Sequence, residues 1–260
     1  MVERADRPAV ATFFANDGFV AGGTVTLAED AAHHIRVARV GVGECIELRN
    51  GEGKAAVGFL VKSSRTTALV DITEISEIPR PAPIHLLTPI ADRERMLWLA
   101  EKATEYGITS WRPVMWRRSK SVSPRGEGST FQGKVRARMT SALIQSGGGW
   151  LPEIFPEATV ERAIAAAPLG TRLLLIKDGE PIAGVPMHSP IVIALGPEGG
   201  MEDAERDAFI GAAFLPVKLA PTTLRFETAG VAAIAIAAAG MAKAASGKRE
   251  AGSGGLEGSE

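Results

Sequence analysis

Three glycines and a proline directly follow a run of five apolar residues in the carboxyl-terminal half of the chain. The run, from Ile191 to Leu195, predicts a buried strand, and it stops at the sequence Gly-Pro-Glu-Gly-Gly over 196–200. Glycine lets the backbone approach a ligand closely and leaves N–H groups available as hydrogen-bond donors. Glu202 and Asp203 then place acids at the positive end of a following helix. The pattern predicts a tight loop that binds a small molecule through its backbone, and a plain glycine turn is the alternative.

A second strand, loop and helix follow. Residues 214–219 predict a strand, residues 220–225 predict an irregular loop, and an alanine-rich helix begins near Glu227. Two such units in succession predict a parallel sheet covered by helices. Ligands of these sheets bind at the carboxyl ends of the strands, where both loops must lie. Neither loop has the GxGxxG pattern or the Gly-Lys-Ser/Thr of a P-loop, so an ordinary nucleotide-binding fold is only weakly indicated.

The two loops in this order resemble those of the SPOUT methyltransferases. Within that superfamily they are most similar to the RsmE-type 16S rRNA (uracil-N3) methyltransferases, whose second loop usually reads L-G-P-R-I/V-L-R-T-E-T-A. The matching residues of this chain are Leu219, Pro221, Leu224, Arg225, Glu227, Thr228 and Ala229. Three positions depart from the pattern, with Ala220 in place of glycine, Thr222 in place of the first arginine and Phe226 in place of threonine.

The resemblance implies an α/β fold in which a carboxyl-terminal SPOUT domain, with a parallel sheet and a trefoil knot, follows a small PUA-like β-barrel domain. It implies that the knot holds S-adenosylmethionine as methyl donor and forms a homodimer interface. The strand predicted over 172–176 would supply a third loop of this site at 177–180. The residues expected to bind the cofactor are Leu195, Gly196, Glu198, Gly199, Gly200, Leu219, Ala220, Leu224 and Thr228.

The second loop also carries the residues expected to act on the acceptor base. The imide N–H of uracil must lose its proton, and Glu227 or Glu198 could accept it, while Arg225 could stabilise charge on the uracil carbonyl. Our interpretation gives the catalytic roles to Arg225 and Glu227. Helix capping is the alternative for Glu227, because it falls in the first turn of the predicted helix. This chemistry calls for no metal.

Short strands with frequent turns over residues 20–78 favour a small β-barrel. A helix predicted over 29–37 carries His33 and His34, and this segment resembles the H-H-L-x-x-V-L-R-x-x-x-G-D pattern of the PUA-like domain of the same family. The residues that match or nearly match are His33, His34, Ile35, Arg39, Gly43 and Glu44. The resemblance implies that this domain holds RNA. Adjacent histidines on a helix point about 100° apart, so packing or contact with RNA is favoured over a metal site.

Basic residues are concentrated in the first 150 positions, which hold 20 Lys and Arg against 16 Asp and Glu, whereas the remainder holds 9 against 14. Between Arg112 and Arg138 there are eight basic residues and one acidic residue. Such a run is typical of a polyanion-binding surface, and a solvated protein face is the alternative. The residues expected to contact RNA are His34, Arg36, Arg39, Arg95, Arg117, Arg118 and Lys120.

Composition and the positions of proline-rich and polar segments give the expected domain order. A PUA-like domain over 1–78 is followed by a proline-rich linker over 79–83, a SPOUT domain over 84–245 and an unstructured polar tail over 246–260. The single cysteine, Cys45, excludes an internal disulfide and is expected to be a buried apolar thiol. The amino terminus lacks a signal-peptide pattern, and the most apolar stretch, 229–244, is shorter than the roughly 20 residues of a spanning helix. We therefore expect a soluble, cytoplasmic protein without a membrane partner.

Two further positions depart from the family pattern at the end of the helix predicted over 134–146. The family usually has E-Q-S-G-R there, but Ile144 replaces the acid and Gly148 replaces the arginine. The leading interpretation is methylation of N3 of a uridine in the 16S rRNA of the small ribosomal subunit. One alternative is a SPOUT enzyme that acts on another RNA position, such as a ribose 2′-hydroxyl. A second is a non-catalytic RNA-binding factor in ribosome assembly, which the missing arginines at Gly148 and Thr222 leave open.

Overall fold

The computed structural model describes residues 8–16, 18–119 and 128–253, and contacts divide the chain into two compact units. The first comprises Met1–Arg80 and Met139–Leu151, and the second comprises Pro81–Arg138 and Pro152–Glu260. The sequence had predicted one continuous second domain over 84–245. Residues 139–151 group with the first unit because they form hydrogen bonds with it. The N–H of Gly53 donates to the carbonyl of Gly149 at 2.8 Å, and the indole N–H of Trp150 donates to the carbonyl of Ile78 at 2.9 Å.

Five strands form the sheet of the first unit, in the order β1-β3-β4-β5-β2. They are β1 (Thr12–Phe14), β2 (Thr24–Leu27), β3 (Cys45–Arg49), β4 (Lys54–Ser63) and β5 (Ala68–Glu77). Strand β1 pairs parallel with β3, and the other neighbours pair antiparallel. Helix α1 (Glu29–Val37) connects β2 to β3 and has the bounds predicted from the sequence.

The tight turn predicted at Asn50-Gly51 joins β3 to β4. The side-chain oxygen of Asn50 accepts hydrogen bonds from the N–H groups of Glu52 at 2.9 Å and Lys54 at 3.0 Å. Gly51 has a φ of +75°, a conformation that glycine adopts without strain. Cys45 at the start of β3 is buried, as predicted, and burial raises the pKa of its thiol.

Parallel strands form the sheet of the second unit, in the order β12-β10-β11-β6-β7-β8, with β9 also paired to β7. They are β6 (Ile84–Pro89), β7 (Ser110–Met115), β8 (Glu153–Ile154), β9 (Ala158–Thr159), β10 (Thr171–Pro181), β11 (Ile191–Leu195) and β12 (Leu215–Lys218). The predicted parallel sheet is confirmed. Strand β10 lies between β11 and β12, so the last three strands of the chain are neighbours at one side of the sheet.

Helices cover both faces of this sheet. They are α2 (Arg93–Glu105), α3 (Gly128–Ser146, which begins earlier than predicted), α4 (Val160–Ala165), α5 (Asp203–Gly211) and α6 (Phe226–Ser253), with a short 3-10 helix at Ile182–Gly184. On one face the ring of Phe209 stacks on Trp116 at 5.2 Å and meets Phe214 edge-on at 4.8 Å. On the other face α6 packs on α2, β6 and β11. The chain therefore returns from the edge strand β12 to the middle of the sheet.

Two elements extend past their predicted ends. Strand β10 was expected to stop at residue 176, but it continues to Pro181 with a register shift against β12 between Leu175 and Glu180. Helix α6 reaches Ser253, so residues 246–253 are helical where an unstructured tail was predicted, because an established helix gains one hydrogen bond with each added residue. Residues 254–260 lie outside the described residues. No helix within the described ranges is both long and apolar enough to cross a membrane.

Candidate functional site

A cavity of 610 Å³ opens at the carboxyl ends of β10, β11 and β12. Its volume falls in the range of about 300–1,000 Å³ that is typical of small-molecule sites. The walls come from residues 175–178, 195–198, 200–201, 217–220 and 222–226, together with Arg95, Arg206 and Ala229. The three loops that the sequence placed at one edge of the sheet therefore do meet around one cavity.

Most of the predicted cofactor residues line this cavity. Those that do so are Leu195, Gly196, Glu198, Gly200, Leu219, Ala220 and Leu224. Gly199 and Thr228 are not among the lining residues. Thr228 is exposed on the first turn of α6, and Gly199 faces Arg118, whose carbonyl oxygen lies 3.0 Å from the position that a Cβ would occupy. Of the two predicted catalytic residues, Arg225 lines the cavity and Glu227 is buried next to Arg95.

Glu205 anchors the loop that follows β11. Its carboxylate accepts the N–H of Glu202 at 2.9 Å, within a capping box at the start of α5, and the N–H of Arg117 at 2.8 Å. The loop itself turns at Gly200, which has a φ of +77° and donates its N–H to the carbonyl of Pro197 at 2.9 Å. Glu205 was not predicted as a site residue, because the capping-box signature begins with Ser, Thr, Asp or Asn and this chain has Glu202 at that position.

A bulge in β10 forms the middle wall. A Cβ at Gly179 would lie 2.5 Å from the backbone nitrogen of Val217, so only glycine fits between β10 and β12 at this point. The extra residues of the bulge place Ile176, Lys177 and Asp178 at the cavity. The third loop expected at 177–180 is therefore the bulged end of a strand, and two of its residues, Lys177 and Asp178, line the cavity.

Arg95 of α2 joins two carboxylates from different loops. Its guanidinium forms an ion pair with Glu198, and its Nε lies 3.8 Å from Oε1 of Glu227. The other oxygen of Glu227, Oε2, is buried and has no hydrogen-bond partner among the described residues. Glu227 lies in the first turn of α6, as the capping alternative expects, but no described backbone N–H donates a hydrogen bond to its carboxylate. Arg95 was predicted to contact RNA, and its place in this cluster was not foreseen.

Charge is unevenly distributed around the cavity. Five basic side chains line it, namely Arg95, Lys177, Arg206, Lys218 and Arg225, against the two acids Asp178 and Glu198. Arg206 is also paired outside the cavity, with Asp203 at 3.1 Å and Asp207 at 3.3 Å. Arg206 and Lys218 were not predicted, because each lies in an element with no recognisable binding motif.

The remaining predicted RNA contacts lie outside the cavity. His34, Arg36 and Arg39 are exposed on α1 and just after it, and Arg36 donates to the carbonyl of Arg65 at 3.2 Å. Arg117 and Arg118 are exposed after β7. Lys120 lies outside the described residues. The described part of the chain contains no group of three or more His, Cys, Asp or Glu side chains arranged to hold a metal ion.

Part of the basic run between Arg112 and Arg138 is used within the second unit. Arg138 pairs with Glu101 at 3.2 Å, and the guanidinium of Arg112 lies 4.1 Å from the ring centre of Phe155. Both contacts fit the alternative of an ordinary protein face for those two residues. The polyanion interpretation remains open for the other described basic residues of the run, Arg117, Arg118, Lys134 and Arg136, all of which are exposed.

An RNA methyltransferase domain model matches residues 78–238, which is more than half of the chain. The chain belongs to this RNA methyltransferase family. An RNA methyltransferase PUA domain model matches residues 27–73, within the first unit of this RNA methyltransferase. The resemblance drawn from the two loops and from the His33-His34 segment is therefore confirmed, and so is the α/β fold preceded by a PUA-like domain.

Similar proteins cover most of this RNA methyltransferase. A ribosomal RNA small subunit methyltransferase E from Synechocystis is 28% identical over 82% of this chain and 72% of its own. The crystal structure of a ribosomal RNA small subunit methyltransferase E from Neisseria gonorrhoeae, bound to S-adenosyl methionine, is 28% identical with a TM-score of 0.80, over 86% of this chain and 95% of its own. A putative methyltransferase from Legionella pneumophila shares the fold, with a TM-score of 0.81 and 24% identity over 88% of this chain and 97% of its own.

Proposed function

We propose that this RNA methyltransferase transfers a methyl group from S-adenosylmethionine to N3 of a uridine in the 16S rRNA of the small ribosomal subunit. The observation that carries the proposal is the cavity where the loops after β11 and β12 meet the end of β10. The similar Neisseria enzyme is bound to S-adenosyl methionine and is named as a small-subunit rRNA methyltransferase. The choice of N3 rests on the resemblance of the second loop, 219–229, to the uracil-N3 family.

The residues of the cavity fit the cofactor. Apolar side chains such as Leu195, Leu219 and Leu224 offer surfaces for an adenosine, and Gly196 and Gly200 bring the backbone to the same wall. When bound, S-adenosylmethionine supplies a methyl group activated by its sulfonium. The chain's own contribution is to align the acceptor with that group. Alignment of this kind can lower the activation free energy by about 7–11 kcal/mol.

Glu227 is our candidate for the base. Its Oε2 is buried and has no hydrogen-bond partner among the described residues, which leaves it able to accept a proton. An imide N–H of uracil is a donor of the required kind, and a positioned carboxylate can remove its proton. Arg225 is exposed at the cavity, where its guanidinium can stabilise negative charge on the uracil carbonyl. The base must be unpaired or turned out of a helix for this edge to be reached.

The first unit is proposed to hold the RNA. Its exposed His34, Arg36 and Arg39 supply donors and positive charge for phosphates. In the second unit, the exposed Arg117 and Arg118 are also proposed to contact RNA, as is Lys120, which lies outside the described residues. We propose the domain division expected from the sequence, 1–78 and 84–245 with a linker at 79–83, except that residues 139–151 belong with the first domain.

We also propose a trefoil knot, a homodimer and a cytoplasmic location. The return of α6 from the edge strand β12 to the middle of the sheet is the path that a threaded chain requires. Partly exposed apolar side chains of α6, including Val231 and Ile236, together with the 44% exposed Trp98 of α2, support a second copy packing on this face. An rRNA substrate places the enzyme where ribosomes are assembled.

The test is methyl transfer to defined substrates. Purified protein is incubated with labelled S-adenosylmethionine and either small ribosomal subunits or free 16S rRNA, and the product is mapped by nucleoside mass spectrometry. We expect one labelled 3-methyluridine. A 2′-O-methylated nucleoside would show that the enzyme methylates the ribose instead of the base. Binding of RNA without methyl transfer to either substrate would favour an assembly factor.

A further inference from the structure

Asp178 is distinguished by its charge environment. Two carboxylates line the cavity, and Glu198 is paired with Arg95. Asp178 forms no ion pair with any described residue. Lys218, which lines the same cavity, likewise has no ion pair within the described ranges. Lys177 and Arg225 also line the cavity without an ion pair to a described residue, but Arg225 is assigned to the acceptor base and Lys177 is exposed, whereas Lys218 is half-buried. Asp178 and Lys218 are therefore the unpaired acid and the half-buried unpaired base of the described lining.

The fold brings these two residues to the same part of the wall. Gly179 abuts the backbone of Val217, with its Cβ position 2.5 Å from the nitrogen of that residue. Asp178 precedes this contact on β10, and Lys218 follows it on β12. The pairing of Pro181 with Lys218 on the far side of the bulge keeps the two strands together. The backbone positions of Asp178 and Lys218 are therefore fixed relative to each other.

We infer that Asp178 and Lys218 form a clamp for the zwitterionic amino-acid end of the cofactor, with the Asp178 carboxylate accepting from the α-ammonium and the Lys218 ammonium donating to the α-carboxylate. The inference rests on the proposed function, because it names how that same site recognises S-adenosylmethionine. An opposite pair of unneutralised charges matches a ligand end that carries one charge of each sign.

The chemistry favours the ammonium over a ribose hydroxyl as the partner of Asp178. A hydroxyl is neutral and is satisfied by any backbone carbonyl, whereas a cationic group among the basic side chains of this cavity requires an anion. With Glu198 engaged by Arg95, Asp178 is the carboxylate of the described lining that remains for this purpose. The sequence offered Asp178 only as part of a third loop and gave Lys218 no role.

The test compares two ligands that differ in the amino-acid end. S-adenosylhomocysteine carries this end, and 5′-methylthioadenosine has the adenosine and sulfur without it. Their dissociation constants are measured by calorimetry for the wild type, Asp178→Asn and Lys218→Gln. Asp30→Asn and Lys62→Gln, exposed changes in the first unit, serve as matched controls.

We expect each cavity variant to weaken S-adenosylhomocysteine by about 10- to 100-fold, the range for a lost charge-assisted hydrogen bond, and to leave methylthioadenosine within about twofold. Equal losses for both ligands would overturn the clamp, because the residues would then act on the nucleoside or on the fold. An effect confined to one of the two variants, or absent from both, would also overturn it. If the wild type bound neither ligand, the proposed function itself would fail.

Discussion

The Nε atom of Arg95 lies 3.8 Å from Oε1 of Glu227, and the same guanidinium is ion-paired with Glu198. One side chain of α2 thereby connects the loop after β11 to the first turn of α6. The Arg95 side chain is 34% exposed, whereas that of Glu227 is 11% exposed. Partly exposed ion pairs contribute roughly 0–1 kcal/mol to stability, so this contact is better suited to orienting Glu227 than to holding the fold together.

Replacing Arg95 with methionine should therefore affect turnover more than stability. We expect kcat to fall by about 10- to 100-fold, because a misplaced reacting group costs rate on that scale, while the free energy of unfolding changes by less than about 1 kcal/mol. Arg95→Lys keeps the charge but loses the planar fork, and it should give an intermediate rate. Steady-state kinetics and urea unfolding measure the two effects. Wild-type turnover in Arg95→Met would show that the cluster has no part in the reaction.

Glu227→Gln tests the proposed base directly. The amide has nearly the same shape as the carboxylate but cannot take the proton, so we expect a loss of about 10²–10⁴ in kcat. Binding of S-adenosylhomocysteine should remain close to that of the wild type, since Glu227 is not among the residues that line the cavity. Single-turnover transfer and calorimetry check both points. Normal turnover would remove Glu227 as the base.

Much of this site could be predicted because its signals are local. Five apolar residues followed by Gly-Pro-Glu-Gly-Gly define a strand and its loop without reference to the rest of the chain, and β11 has the predicted bounds Ile191–Leu195. The parallel order of the strands then places the loops at one edge of the sheet. Seven of the nine residues expected to bind the cofactor line the cavity, and Gly199 and Thr228 do not.

The side-chain contacts between distant elements could not be predicted. Arg95 and Glu198 are 103 positions apart, and nothing in either segment indicates the other. The same holds for Gly179 and Val217, whose contact sets the end of β10 against β12. Tertiary packing decides such pairs, whereas periodicity and turn residues report only on neighbouring positions.

At Gly230, helix α6 packs closely against other elements of the second unit. A Cβ there would lie 2.8 Å from Cδ1 of Leu99 and 3.1 Å from Cδ1 of Leu195. Gly230→Ala should lower the free energy of unfolding by about 1–2 kcal/mol, because overpacking outweighs the gain in helix propensity. Gly211→Ala, on α5 with no atom within 4 Å, is the matched control and should be neutral or stabilising by up to about 1 kcal/mol. Equal effects of the two changes in urea unfolding would contradict the close fit.

Arg172 forms hydrogen bonds with the ends of two helices. Its guanidinium donates to the carbonyls of Pro168 at 2.9 Å and Ala167 at 2.5 Å, just after α4, and to that of Ala212 at 2.9 Å, at the end of α5. Arg172→Met should lower the free energy of unfolding by about 2–4 kcal/mol, since three charged hydrogen bonds are lost and partly buried carbonyls are left unpaired. Arg162→Met, an exposed change on α4, should stay within about 0.5 kcal/mol. A loss in Arg172→Met no greater than in this control would show that the carbonyls do not depend on the guanidinium.

The central claim is that the loops after β11 and β12, with the bulged end of β10, together hold the methyl donor. A crystal structure of the protein with S-adenosylhomocysteine measures this most directly. We predict that the ligand lies in the cavity between residues 196–201 and 219–225, with its amino-acid end at Asp178 and Lys218. Ligand bound elsewhere on the protein, with this cavity empty, would contradict the account.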